Sequence, residues 1–142
     1  MTISKAEATW NGTLKEGKGS VKGASGSFQA PFSFATRFEG ASGGTTPEEL
    51  IGAAQAGCFS MFLAAQLSSA GHPPTSINTT AAVTLDAGPL LSKIELTVVA
   101  TVPGVDAKVF QEKVDFSHKN CPISKALASV PTVIVNAKLA NT

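Results

Sequence analysis

Apolar and polar residues alternate from Ala30 to Phe38, which is the pattern of a half-buried β-strand. The first third of the chain as a whole predicts three strands, over Lys5–Leu14, Ser20–Ala24 and Ala30–Phe38. In the third strand, the alternation places Arg37 on the face opposite Phe34 and Phe38. Glycines at positions 40, 43 and 44 then indicate a flexible connection to the next element.

A long apolar segment with a well-marked start follows this connection. Thr46 is a good N-cap, Pro47 suits the first helical position, and Glu49 completes a capping box. The segment is apolar nearly all round to about Ala70, and the run Gly71-His72-Pro73-Pro74 ends it. The pattern predicts a central, enclosed helix that can lie at a subunit interface.

The second half of the chain mixes strands and helices. Strands are predicted over Asn78–Leu85, Leu91–Val102 and Thr132–Leu139, with Asp86–Pro89 as the turn between the first two. Asp106 caps a helix to about Lys119, and Cys121-Pro122 opens a short one. The resulting order, βββ-α-ββ-α-α-β, favours an α+β fold with antiparallel sheets packed on the central helix. The 142 residues fit one domain, 1–142.

Composition and charge exclude several classes of protein. Hydrophobic residues make up 43% of the chain and charged residues 15%, which is typical of a globular protein. The net charge of +1 and the lack of a basic run argue against a nucleic-acid partner. The uncharged stretch Leu50–Leu67 could span a membrane by length, but it is rich in Ala and Gly and has no flanking Lys or Arg, so a buried helix is favoured. Residues 1–7 lack the apolar region of a secretory signal, which predicts a cytoplasmic protein.

The two cysteines are the candidate reactive groups, because cysteines in a reducing cytosol are more often catalytic, redox-sensing or metal-binding than structural. Cys58 lies in the long apolar helix, where an unreactive core thiol is the common case and where burial raises the pKa of a thiol. Cys121 lies at a helix start, which lowers the pKa of a thiol, although an incidental turn cysteine stays open. Two His and two Cys are too few at suitable spacing for a metal site, so no metal or other cofactor is predicted.

Arg37 is the candidate cation for Cys58, and it is the only arginine in the chain. A surface arginine on a strand is the alternative. Glu48 can orient Arg37 through a bidentate pair, but an acid in the first turn also complements the helix dipole without any other role. Ten helical residues separate Glu48 from Cys58, about 15 Å along the axis, which excludes direct contact in a continuous helix. Arg37 would have to bridge the two, Gly52 would have to break the helix, or a second subunit would have to contribute.

Three motifs lie in this order along the chain: Thr36-Arg37-Phe38-Glu39-Gly40, the segment TPEELIGAAQAGCFSM from Thr46 to Met61, and Cys121-Pro122-Ile123-Ser124. Together they resemble the osmotically inducible protein C (OsmC) family and its sister group, the organic hydroperoxide resistance (Ohr) proteins. The similarity runs from about residue 2 to residue 139. The connection Asp86–Leu91 is shorter than the resemblance leads us to expect.

The resemblance implies an intertwined α+β homodimer with two active sites at the interface. Cys58 then matches the peroxidatic cysteine and Cys121 the resolving one. Arg37 matches the arginine that stabilises the thiolate and positions the peroxide, and Glu48 matches the acid that holds this arginine, with Glu49 as the alternative.

The predicted activity is a thiol-dependent reduction of organic hydroperoxides to alcohols. The Cys58 thiolate attacks the peroxide and becomes a sulfenic acid, which condenses with Cys121 to a disulfide. An external dithiol then reduces this disulfide, and the resemblance suggests a lipoyl-type dithiol. Apolar neighbours of the cysteine, namely Phe38, Phe59, Met61 and Phe62, are predicted to favour alkyl or lipid-like peroxides.

Two other functions fit the same residues. A non-enzymatic dimer that binds apolar small molecules would use the cysteines only to fill its core, and replacing Cys58 would leave its function intact. A thiol redox sensor would be oxidised stoichiometrically, without efficient turnover.

Overall fold

The computed structural model describes residues 1–140 of the chain. Its elements, in chain order, are β1 (Ala6–Asn11), β2 (Lys18–Gly23), β3 (Gln29–Phe32), α1 (Phe34–Phe38), α2 (Pro47–Ser69), β4 (Ser76–Asp86), β5 (Leu90–Thr101), α3 (Ala107–Asn120), α4 (Pro122–Ala126) and β6 (Thr132–Leu139). Contacts divide the chain into two compact units, Met1–Leu50 and the part from Ile51 onward.

The first unit is built on a small antiparallel sheet with the strand order β1-β2-β3. Trp10 of β1 and Phe32 of β3 approach each other across β2, with ring centroids 5.3 Å apart. Gly19 of β2 pairs with both residues, and a Cβ added to it would lie 2.6 Å from an atom of each ring. A side chain at this position would push the rings apart, so the aromatic pair depends on glycine.

The segment after β3 is a helix, which corrects the strand predicted over Ala30–Phe38. Ser33 starts α1 with a capping box, in which the Thr36 N–H donates to the Ser33 hydroxyl (3.1 Å) and the Ser33 N–H donates to the Thr36 hydroxyl (2.9 Å). These local hydrogen bonds outweigh the alternating apolar pattern. The Arg37 guanidinium carbon lies 5.3 Å from the centre of the Phe38 ring, so the two side chains do not take opposite faces as predicted.

The second unit contains a sheet with the strand order β4-β5-β6. The predicted antiparallel hairpin of β4 and β5 is present, and Gly88 supplies the positive φ of 110° in its turn. β5 and β6 instead run parallel, with Ile94 opposite Val133, because α3 and α4 form a crossover between them. The α+β class is confirmed, whereas the antiparallel prediction is wrong for this pair and the predicted order lacks α1.

The core of the second unit lies between α2 and one face of β5. Four alternate residues of β5 are fully buried, as their pattern predicts: Ile94, Leu96, Val98 and Ala100. Phe59, Leu63 and Leu67 of α2 are fully buried in the same cluster. Each such side chain contributes about 1.5–3 kcal/mol when it leaves water, so this stripe fixes the rotation of α2 on the sheet.

Helix α2 begins and ends with the predicted signals. The Glu49 N–H donates to the Thr46 hydroxyl (2.9 Å), and the Glu49 carboxylate accepts a hydrogen bond from Thr45 (2.6 Å). At the other end, Gly71 has a φ of 84° and the His72 N–H donates to the Leu67 carbonyl (2.9 Å). The helix continues through Gly52, so the break considered for this position is not found.

In the single chain, α2 is less enclosed than its apolar pattern predicts. Ala53, Gly57, Met61 and Ala65 lie four residues apart and are exposed, Met61 by 78%. We call these four residues the open face of α2. Within residues 1–140, α2 is also the one helix that could cross a membrane by length and composition, with a mean hydropathy of 1.5. Core helices share these properties, so this observation alone is weak support for a span.

Candidate active site

An ion pair lies in the first unit, between α1 and the first turn of α2. The Arg37 Nη2 lies 2.7 Å from the Glu48 Oε1, and the Arg37 Nε lies 3.2 and 3.3 Å from the two carboxylate oxygens. The Glu48 side chain is only 8% exposed, whereas the Arg37 side chain is 36% exposed. A two-point contact of this kind fixes the plane of the guanidinium as well as its position. Glu48 contacts Arg37 in this way, while Glu49 bonds to Thr45 instead, and the predicted orienting role of Glu48 stays a prediction.

An apolar cavity lies beside Arg37 in the first unit. Its volume is about 220 Å³, and its wall consists of Trp10, Leu14, Phe32, Ser33, Phe34, Arg37 and Phe38. Phe34 and Phe38 form an aromatic pair with ring centroids 4.9 Å apart, which gives one wall a fixed shape. The cavity thus combines an apolar lining with a single permanent positive charge.

The two cysteines meet in the second unit although 63 positions separate them in sequence. Their sulfur atoms are in direct contact, 2.6 Å apart, and no disulfide joins them. Cys58 is partly exposed on α2, whereas Cys121 is 0% exposed between α3 and α4. Spacing alone could not show whether the cysteines meet, and the fold brings them together.

Cys121 is held by backbone contacts on both sides. Its N–H donates to the Ser117 carbonyl at the end of α3 (2.9 Å). Its carbonyl accepts from the Lys125 N–H (3.0 Å), which makes Cys121 the N-cap of α4 with Pro122 in the first turn. Proline has no N–H to leave unpaired there, so the sequence Cys-Pro suits this junction.

The two thiols differ in acidity. Burial raises the pKa of Cys58, the Cys121 thiol raises it further, and a backbone hydrogen bond from Ile123 acts in the opposite direction. Burial also acts to raise the pKa of Cys121, but hydrogen bonds from Cys58, Ser124 and Ile123 outweigh it and the pKa is lowered. The two pKa values are therefore shifted in opposite directions.

Two polar residues next to the cysteines were not singled out individually from the sequence. Gln55 is 1% exposed, and its Nε2 lies 3.4 Å from the Ser124 hydroxyl, to which it donates. Gln55 precedes Cys58 by almost one helical turn, so both lie on neighbouring positions of α2. A polar residue within an otherwise apolar helix was the signal that could have found it.

The predicted substrate contacts fall in different surroundings. Phe38 is 45% exposed and lines the apolar cavity. Phe59 is 0% exposed in the core of the second unit, so it cannot reach a bound molecule in this conformation, and the prediction for it is corrected. Met61 lies on the open face of α2, and Phe62 stacks on Phe116 with ring centroids 6.1 Å apart.

Known proteins resemble this chain in sequence and in fold. The family model for OsmC-like proteins matches residues 40–136. The chain is 49% identical over 138 residues to Peroxiredoxin OsmC of Escherichia coli (strain K12), a match that covers 94% of this chain and 96% of the relative. Among solved structures, the organic hydroperoxide resistance protein OhrB of Bacillus subtilis superimposes with a TM-score of 0.65 at 25% identity, over 95% of this chain and 97% of that one. An OsmC like protein from Mycoplasma pneumoniae shares the fold with a TM-score of 0.72 at 17% identity, over 99% and 98% of the two chains. With more than half of its length matched by the family model and nearly half of its residues shared with a curated relative, the chain belongs to the OsmC-like protein family.

Proposed function

We propose that this protein is a thiol-dependent peroxidase that reduces organic hydroperoxides to alcohols. The observation that carries the proposal is the direct contact between the sulfur atoms of Cys58 and Cys121, 2.6 Å apart. A thiol that is oxidised in this position has a partner thiol within reach. The relatives named peroxiredoxin and organic hydroperoxide resistance protein support the same chemistry.

The reaction begins at Cys58, the sulfur that is partly exposed. Its thiolate attacks one oxygen of the O–O bond, the bond breaks, and the alkoxide takes a proton and leaves as the alcohol. The product on the protein is the Cys58 sulfenic acid. Cys121 then attacks this sulfur, water leaves, and the disulfide forms. The reduced state returns when an external dithiol exchanges with the disulfide, and a lipoyl-type dithiol is our candidate from the family resemblance.

Arg37 has the role of stabilising the Cys58 thiolate in the assembled protein. Burial raises the pKa of Cys58, so a nearby cation is needed to make this thiol the nucleophile. A guanidinium keeps its charge at any physiological pH, and its fixed fork can also hold a peroxide oxygen. Glu48 is buried and bonds Arg37 at two points, which keeps the guanidinium in one orientation.

The apolar cavity beside Arg37 supports organic hydroperoxides as the substrate class. A volume of about 220 Å³ accommodates an alkyl or aryl group. Binding is favourable because the apolar group and the walls formed by Phe34 and Phe38 both leave contact with water. Hydrogen peroxide has no apolar part and gains nothing from such walls. Phe38 is thus our main substrate contact, and the substrate roles of Met61 and Phe62 stay predictions.

A homodimer accounts for the open face of α2. Its members are exposed in the single chain, and Gly57 has open space around it, so another surface can approach closely. A second copy of this helix offers an apolar surface of the same shape. In this arrangement two chains contribute to each active site, as the family resemblance implies. The cytoplasmic location stays a prediction.

Single-turnover oxidation of the reduced protein tests the function. Wild type, Cys58→Ser and Cys121→Ser would each be mixed with cumene hydroperoxide or hydrogen peroxide, and free thiols and intact mass would be followed. We expect wild type to lose two thiols and to react faster with cumene hydroperoxide, Cys58→Ser to be inert, and Cys121→Ser to stop at the sulfenic acid. Slow oxidation that is the same in all three proteins would reject the peroxidase in favour of a binder of apolar molecules.

A further inference from the structure

The two sulfur atoms differ in their access to a reductant. Cys58 is partly exposed, whereas Cys121 is 0% exposed and is held at the junction of α3 and α4. An external thiolate must approach the sulfur that it attacks along the line of the S–S bond, from the side away from the leaving sulfur. Accessibility therefore favours attack on Cys58.

The surroundings of Cys121 are suited to holding a negative charge. Cys121 lies at the start of α4, and hydrogen bonding from Ser124 and Ile123 acts to lower the pKa of its thiol. The Ser124 oxygen accepts from the Gln55 amide (3.4 Å), so the hydrogen of this hydroxyl stays available to another acceptor. Gln55 is 99% buried, whereas Ser124 is partly exposed, so the amide holds the serine from the protein side. In a thiol–disulfide exchange, the better-stabilised thiolate is the better leaving group.

We propose that the external dithiol attacks Cys58 of the oxidised protein and that Cys121 leaves, stabilised by Ser124, which Gln55 positions. The inference rests on the proposed function for the formation of the disulfide. It assigns Ser124 and Gln55 to the reductive half of the cycle. It also makes Cys58 the sulfur that meets both the peroxide and the reductant.

The exchange balances in two steps. A thiolate of the dithiol forms a bond to the Cys58 sulfur, the Cys58–Cys121 bond breaks, and its electron pair leaves with Cys121. The second thiolate of the dithiol then attacks the dithiol's own sulfur in the mixed disulfide and releases the Cys58 thiolate. The dithiol loses two electrons and two protons and becomes a disulfide, and the protein gains the two electrons as two thiols.

Trapping the mixed disulfide tests which sulfur is attacked. The protein would be oxidised with diamide, treated briefly with 2-mercaptoethanol, and quenched with excess N-ethylmaleimide before peptide mass mapping. A monothiol cannot complete the second step within the same molecule, so the mixed disulfide persists long enough to be caught. We expect mercaptoethanol on Cys58 and maleimide on Cys121; the reverse distribution would overturn the proposal.

Substitutions of Ser124 test the stabilisation of the leaving group. We expect Ser124→Ala to slow reduction of the diamide-oxidised protein by dithiothreitol by about threefold to tenfold, more than it slows the first attack on cumene hydroperoxide. Ser124→Thr keeps the hydroxyl and should restore the rate of reduction, and Gln55→Met should give a smaller loss than Ser124→Ala. Ser69→Ala, an exposed serine of α2, is the matched control. Equal slowing of both half-reactions without rescue by threonine would show a merely structural role.

Diamide oxidation keeps this test separate from the proposed function. If cumene hydroperoxide fails to oxidise the protein while diamide closes the disulfide, the peroxidase proposal is wrong, yet the position of the mercaptoethanol adduct still decides the direction of attack. If the peroxide oxidises the protein and the adduct lies on Cys121, the peroxidase stands and the present inference fails.

Discussion

Glu48 and Arg37, eleven positions apart, form a two-point ion pair between the first turn of α2 and the last turn of α1. The acid is buried and the arginine is partly exposed, so the carboxylate acts as a fixed support from which the guanidinium extends. Removing one partner of such a pair leaves the other charge without its counterion.

Substitutions at this pair should lower the rate of peroxide reduction, while the disulfide between Cys58 and Cys121 can still form. We expect Arg37→Lys to reduce kcat/KM for cumene hydroperoxide by at least about tenfold, because an ammonium cannot reproduce the planar fork. Glu48→Gln should have an effect of similar size, since the neutral amide no longer fixes the guanidinium. Steady-state turnover with dithiothreitol measures both.

Glu49→Gln is the matched control for Glu48→Gln. Glu49 is next in sequence but bonds to Thr45 and not to Arg37, so we expect a change in kcat/KM of less than about twofold, the size of a surface effect. A larger loss with Glu49→Gln than with Glu48→Gln would show that Glu49, and not Glu48, supports Arg37.

A pair of phenylalanine variants should separate substrate contact from core packing. Phe38→Ala is expected to lower kcat/KM for cumene hydroperoxide and to leave that for hydrogen peroxide nearly unchanged, because Phe38 lines the apolar cavity. Phe59→Ala is expected to cost about 3–5 kcal/mol of unfolding free energy through the cavity that it creates. Peroxide kinetics and urea denaturation of both variants distinguish the two roles. Loss of peroxide selectivity in Phe59→Ala alone would contradict the assignment.

The thiol titration should change in opposite directions when either cysteine is removed. Cys121 contributes to the raised pKa of Cys58, so Cys121→Ala should lower the pKa of Cys58 and increase its thiolate fraction at neutral pH. Cys58 contributes to the lowered pKa of Cys121, so Cys58→Ala should raise that pKa. Alkylation rates increase with pH as each thiol loses its proton, and iodoacetamide rates over a pH series give both midpoints. Shifts in the same direction would show that the pair is not coupled as described.

The open face of α2 should govern the oligomeric state. Met61→Asp places a charge where a second chain is proposed to pack, and we expect it to weaken the dimer by at least tenfold, about 1.4 kcal/mol, in sedimentation equilibrium. Ser68→Asp, on an exposed position further along the helix, is the control. A dimer of unchanged affinity in Met61→Asp would place the interface elsewhere.

Elements with local signals were predictable from the sequence. The start of α2 depends on Thr46 and its near neighbours, and the alternation from Ile94 to Ala100 reports one buried face of β5. Each of these signals depends only on residues within a few positions of one another, so it can be recognised in the sequence without knowledge of the fold. The end of α2 at Gly71 is of the same kind.

Features that depend on competing local signals for strand and helix, or on contacts between distant parts of the chain, were not predictable from local patterns. Phe34–Phe38 carries a strand-like alternation, and the hydrogen bonds between Ser33 and Thr36 decide in favour of a helix. The parallel direction of β6 depends on the path of α3 and α4, which no local pattern encodes. The contact of Cys58 with Cys121 was implied only by the family resemblance, because it depends on packing across 63 positions. The contact of Gln55 with Ser124 depends on packing across 69 positions.

The span between the two cysteines has a consequence for the lifetime of the protein. Closing their disulfide ties a loop of 63 residues, and in the chain-entropy model a crosslink of this length stabilises the folded state by roughly 4 kcal/mol. Molecules that have just consumed a peroxide would then open less often than reduced ones and would be cleaved more slowly by proteases. Under oxidant exposure, the disulfide form of the protein would thus be degraded more slowly than the reduced form, until a reductant opens the disulfide.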